Sequence, residues 1–182
     1  MFGVVLGVDP GVSRCGYGVV RRDGAALAAV AAGVLSTPPS EPLPERLAAL
    51  EAELETLVAE FAPDAVAVER LLFQHNTRTA MAVGQASGLV LAVCARAGVP
   101  VGHYSPNEVK LGVVGHGGAD KHQVQTMVAR LLGLGDVPRP PDAADALALA
   151  ICHAWRLQVD APSGAVPGLE RAIDAALTRE AR

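Results

Sequence analysis

Apolar and polar positions follow two rhythms along this chain. Residues 3–9 (GVVLGVD) are a short apolar run that ends on Asp9 and meets Pro10-Gly11, the pattern of a buried strand closed by a turn. Residues 14–22 (RCGYGVVRR) predict a second strand, Gly24 supplies a hairpin turn, and the alanine-rich residues 25–36 supply a third strand. The chain therefore opens as an antiparallel meander. Pro38, Pro39, Pro42 and Pro44 mark a loop. Leu47, Leu50, Leu54, Leu57, Val58 and Phe61 then recur at helical spacing with glutamates on the opposite face, which predicts a helix over 44–61. Residues 64–69 (DAVAVE) predict another buried strand that again ends on an acid, Glu69. A long helix follows over 76–97 and a fifth strand over 99–105. After them come a short helix, a glycine-rich loop at 112–118 and a helix over 120–133; past Pro138, Pro140 and Pro141, a last core helix runs over 142–157.

Setting the short helix aside, the order is βββ-α-β-α-β-α-α. Three antiparallel strands followed by alternating helix and strand predict an α/β fold: a mixed five-stranded sheet, antiparallel then parallel, with helices on both faces. That is the ribonuclease H-like architecture. The 182 residues fit one domain, predicted over 1–158, with residues 159–182 read as a polar, flexible tail.

Composition narrows the function classes. The chain is 51% hydrophobic and 19% charged, which excludes a disordered protein. No unbroken apolar run reaches the roughly 18–20 residues that span a bilayer, and the opening MFGVVLGVDPG lacks a basic leader region, so a cytoplasmic protein without a membrane segment is expected. Cys15, Cys94 and Cys152 are far apart and form no CxxC pair, so they read as reduced thiols rather than disulfides or zinc ligands. The net charge of −4 argues against a nucleic-acid partner, but the charge is segregated. Eight acids stand against one arginine over 41–69, whereas over 70–130 six bases stand against two acids, enough for a phosphate-attracting face. Thirteen of the 15 basic residues are arginine; the two lysines, Lys110 and Lys121, mark places where a compact ammonium serves better than a planar fork.

The candidate chemistry lies in four acids. Asp9 and Glu69 each end an apolar strand, and a carboxylate there cannot stay buried and ionised without a partner. If the first and fourth strands are parallel neighbours, both acids emerge at the carboxyl edge, where open α/β sheets bind ligands. Asp142 and Asp145 stand three apart at a helix start and share one helix face. Four such charges close together are costly unless cations neutralise them, and an all-carboxylate set favours Mg²⁺ or Mn²⁺. Each acid also has a plainer reading: Asp142 and Asp145 as helix-capping acids, Asp9 as a turn former and Glu69 as a surface acid.

Four segments together closely resemble the RuvC family of crossover junction endodeoxyribonucleases: GVDPGVSRCGYGVV at 7–20, AVERLLFQHNTRTAMAVGQASG at 67–88, PNEVKLGVVGHGGADKHQVQTMVARLL at 106–132 and DAADALALAICH at 142–153. The resemblance is collinear over about 3–157. It implies a structure-selective endonuclease that resolves four-way (Holliday) junctions in DNA recombination and repair by paired nicks. It assigns Asp9, Glu69, Asp142 and Asp145 as metal-holding catalytic acids, binding two Mg²⁺ per active site with Mn²⁺ as a substitute. Hydrolysis by water would leave ligatable 5′-phosphate ends.

The same resemblance places Lys110 and Lys121 near DNA. Lys121, at a helix start after GHGG, can hold the phosphate or stabilise developing charge, and Lys110 can position the backbone. Arg78 and His116 are further candidate DNA contacts, with an exposed loop role equally open for His116. The family carries an aromatic residue three positions after the catalytic Glu; here that position is Leu72, followed by Phe73. Either Phe73 stacks on a base, Leu72 acts as a wedge, or both pack into the core.

A junction's two-fold symmetry implies a homodimer. The helix over 76–97 suits its interface through Met81, Val83, Leu89, Val90 and Val93, unless that helix is buried within one subunit. The branch-migration proteins RuvA and RuvB are the partners expected from the resemblance. Three other readings compete: a phosphate-binding half of a sugar kinase or ATPase with the same core, a YqgF-like nuclease, and a non-catalytic junction-binding protein. The first needs a second phosphate loop that this chain does not show, residues 106–132 and DAADALALA weigh against the second, and the intact set of four acids weighs against the third.

Overall fold

Val5, Leu6, Gly7 and Val8 are all buried, because the first strand, β1 (Phe2–Asp9), runs through the middle of a five-stranded sheet. A computed structural model of the chain describes residues 2–70 and 77–159. The remaining strands are β2 (Arg14–Asp23), β3 (Ala26–Ser36), β4 (Ala65–Glu69) and β5 (Val101–Tyr104), in spatial order β3-β2-β1-β4-β5. The helices are α1 (Leu43–Phe61), α2 (Thr77–Ala97), α3 (Pro106–Val114), α4 (Lys121–Leu131) and α5 (Pro141–Val159). β1, β2 and β3 pair antiparallel; β1–β4 and β4–β5 pair parallel. This is the predicted mixed sheet.

Alternation along the strands divides the core in two. Leu6, Val8, Val19, Val66 and Val68 point to one face, where Leu50 and Leu54 of α1 and Val90 and Val93 of α2 cover them. Val5, Val20 and Ala67 point to the other, where Leu147, Ala148 and Ile151 of α5 meet them, with α3 and α4 alongside.

Three expectations are corrected. β5 is shorter than 99–105, because Val99 N–H closes the end of α2 by bonding Cys94 O (2.9 Å) and Ser105 caps α3. Gly112 is not in a loop: it lies inside α3, where a Cβ would sit 2.9 Å from Cys152 Sγ, so its smallness serves helix packing. The helix over 76–97 is partly a core helix, since Val90 and Val93 are buried inside the subunit, whereas Met81 is 68% exposed. The window Ala80–Ala97 is long and apolar enough by composition to cross a bilayer, although no unbroken apolar run exists there. Alanine, valine and leucine raise its mean hydropathy while Gln85, Ser87 and Arg96 interrupt it.

Candidate active site

The register of the sheet sets Asp9 and Glu69 side by side. Val8 pairs with Val68 in the parallel β1–β4 ladder, so the acids that follow leave adjacent strands in the same direction, on the face that α5 covers. Across the antiparallel ladder, Asp9 stands opposite Gly16, and Gly7 stands opposite Gly18. These three glycines form a side-chain-free strip. A Cβ on Gly7 would collide with the Ala146 carbonyl oxygen, one on Gly16 with the Asp142 carbonyl oxygen, and one on Gly18 would lie 2.7 Å from Leu147 N. Only glycine lets the backbone of α5 lie this close to the sheet. The buried alanines Ala143, Ala144, Ala146 and Ala150 are the matching adaptation on the helix. The close approach carries the first turn of α5, with Asp142 and Asp145, to the strand ends that carry Asp9 and Glu69.

The four acids are electrostatically one group. The Asp9 carboxyl is pushed up to about 7, first by burial, then by the charges of Glu69, Asp145 and Asp142 and by a hydrogen bond with Glu69. Glu69 is also raised, chiefly by burial; its hydrogen bond to Asp9 and the nearby Lys121 ammonium pull the other way. Burial and the neighbouring charges thus favour a proton on Asp9, hydrogen-bonded to Glu69. The other two acids are paired with bases. Arg14 donates to Asp142 Oδ2 from Nε (2.9 Å) and Nη2 (2.6 Å). Lys121 Nζ donates to Asp145 Oδ2 (2.7 Å), which holds the ammonium above its ordinary value.

This donor set fits divalent metal by its chemistry: hard oxygens only, buried enough to repel one another, and gathered from three elements. Among the described residues no three donors converge on a preformed coordination point. Arg14 and Lys121 hold Asp142 and Asp145, while Asp9 and Glu69 bond each other.

Other predicted residues fall around this centre. Lys110 is half-buried on α3 and forms no ion pair among the described residues; His116 is exposed in the loop between α3 and α4. Leu72 and Phe73, and the Arg78 side chain, lie outside the described residues. Burial pushes the Cys15 and Cys152 thiols up to about 12 and raises Cys94 also, so none is poised as a nucleophile. A cavity of about 790 Å³ is lined by Val58, Asp64, Val93, Arg96 and Pro100 and touches none of the four acids.

Sequence reasoning missed the glycine strip and Arg14. The alternation Gly16-Tyr17-Gly18 within a strand was a legible signal for a close backbone neighbour; nothing local marked Arg14 as the partner of a residue 128 positions away.

Comparison with known proteins bears on the family and the fold. The family model described as crossover junction endodeoxyribonuclease RuvC matches residues 5–153. A protein of that name from Salinispora arenicola is 56% identical over 153 residues, covering 84% of this chain and 87% of its own length. Another, from Chloroflexus aggregans, is 53% identical over 150 residues, covering 82% and 92%. Among solved structures, Thermus thermophilus RuvC in complex with a Holliday junction substrate superposes with a TM-score of 0.83 at 42% identity, covering 86% of this chain and 96% of that one. The yeast mitochondrial resolvase Ydc2, at 16% identity and a TM-score of 0.60, shares the fold.

Proposed function

The chain belongs to the RuvC family of crossover junction endodeoxyribonucleases, metal-dependent DNA hydrolases that resolve Holliday junctions, and on that premise we propose how its own residues carry the reaction. Asp9, Glu69, Asp142 and Asp145 hold the metal, and Mg²⁺ is the ion, two per site, with Mn²⁺ able to replace it. When bound, the ions supply charge that polarises the scissile phosphate and lowers the pKa of an attacking water. The protein supplies the rest. The glycine strip and α5 fix the acids relative to one another before substrate arrives. Lys121, released from Asp145, presents its ammonium to the phosphate and stabilises charge that develops there. Lys110 and His116, from α3 and the loop after it, hold the DNA backbone, with Arg78 a further contact. Leu72 or Phe73 wedges or stacks at the branch point. The products carry 5′ phosphates. One observation supports this above all others: four carboxylates from β1, β4 and α5 are close enough that the charges of three add to burial in raising the fourth, Asp9, to about 7.

Junction symmetry calls for two sites, and a homodimer provides them. The outer face of α2 supports that reading, since Met81 is 68% and Leu91 37% exposed. RuvA and RuvB are the expected partners, the cytoplasm the expected compartment, and the nuclease domain is taken to close near residue 158.

The test is nicking of a synthetic four-way junction, with linear duplex as control. Symmetric nicks that need Mg²⁺ and spare the duplex are expected. Metal-independent cutting, or equal cutting of linear duplex, would contradict the proposal.

A further inference from the structure

Arg14 stands at the start of β2, two residues before Gly16, which pairs with Asp9 across the sheet. It therefore lies at the same edge as the acids. Its two hydrogen bonds both end on one oxygen of Asp142, Oδ2. A guanidinium matches a carboxylate better than any other protein cation, and it is always charged. Here it occupies one of the two oxygens that Asp142 can offer a metal. The pair is not sealed in: the side chains are 52% and 31% exposed, so the arginine can withdraw into solvent without stranding a buried charge.

Two cations cannot share one carboxylate at no cost. A divalent ion on Asp142 would repel a guanidinium held a few ångströms away, and the two would compete for the same lone pairs. We infer that Arg14 is a positioning residue that acts as a placeholder: its guanidinium stands where a metal's charge will be, keeps Asp142 from repelling the other acids and DNA while the site is empty, and gives up Oδ2 when metal binds. The inference rests on the four-acid reading above.

The experiment is calorimetric titration of Mn²⁺ alone into the metal-free full chain, comparing wild type, Arg14→Gln and Asp145→Asn. Arg14→Gln is expected to bind Mn²⁺ about three- to tenfold more tightly than wild type, the gain from removing a competing cation at a partly exposed site. Asp145→Asn is expected to bind at least about tenfold more weakly, as loss of one charged ligand demands. Equal or weaker Mn²⁺ binding by Arg14→Gln overturns the placeholder role and leaves the acid site standing. A wild type that binds no Mn²⁺, or an unaffected Asp145→Asn, overturns both. Should Arg14→Gln fail to fold, the wild-type chain answers by NMR. The Arg14 Nε–H resonance, assigned with Arg14→Lys, is expected to move toward that of a solvated arginine as Mg²⁺ saturates the site; a resonance that stays in place overturns the inference.

Discussion

The two faces of the sheet are built on opposite terms. On the face covered by α1 and α2, contact is made by side chains: Leu6, Val8, Val66 and Val68 interlock with Leu50, Leu54 and Val90. On the face covered by α5, much of the contact is backbone against backbone, Gly7, Gly16 and Gly18 against Ala146, Asp142 and Leu147. The first arrangement carries none of the four acids. The second gives up side-chain burial to bring a helix start within reach of two strand ends, and all four acids sit there. The difference teaches where precision is needed. A leucine core tolerates small shifts, whereas acids that must act on shared ions do not, and close backbone contact holds them in place.

Breaking the α5 face should cost most. Gly7→Val places a side chain onto the Ala146 carbonyl and should prevent α5 from docking, read as loss of a cooperative thermal transition. Asp145→Asn should leave the fold intact and lower junction cutting by roughly 10³-fold or more, about 4 kcal/mol in the barrier, while gel-shift binding of the junction persists. Leu54→Ala, on the other face, should destabilise by about 2–5 kcal/mol in chemical denaturation with the cutting rate at saturating substrate unchanged at low temperature.

The smallest effect has the opposite sign. Asp9 sits at about 7 in the folded metal-free chain against 3.8 for the ordinary group, so the folded state keeps a proton that the unfolded chain has lost. Its contribution is fully present below about pH 4 and is lost as pH rises to about 7. Asp9→Asn cannot ionise and should stabilise the chelator-treated protein by about 1–3 kcal/mol at pH 8 and by less at pH 5. A melting curve indifferent to both pH and this substitution would mean that the acids do not interact.

What could be read beforehand follows the same division. Asp9 and Glu69 were legible because an acid that ends an apolar strand is anomalous wherever it occurs, and Asp142 and Asp145 because Pro141 fixes the helix start beside them. The strand order was legible from the meander and the helix–strand alternation. Arg14 was not, since its role depends on a partner 128 residues away and arginine is the ordinary base of this chain. Gly112 was read as loop because glycine is scarce in helices; its role emerges only from the Cys152 sulfur packed against it. On α2, Val90 and Val93 were offered for an interface, with a buried helix as the alternative, and they are buried within the subunit. A helix rich in alanine and glycine has no sharp apolar stripe, and its buried side is set by α1 and the sheet rather than by its own pattern.

The central claim is that acids from β1, β4 and α5 close on shared divalent ions. The most direct test is anomalous X-ray scattering from crystals of the chain grown with junction DNA and soaked in Mn²⁺. The account predicts manganese peaks coordinated jointly by Asp9, Glu69, Asp142 and Asp145 beside a backbone phosphate, with Arg14 and Lys121 no longer bonded to their acids. Manganese bound elsewhere, or Asp142 still clasped by Arg14 with the ions held by other residues, would contradict it.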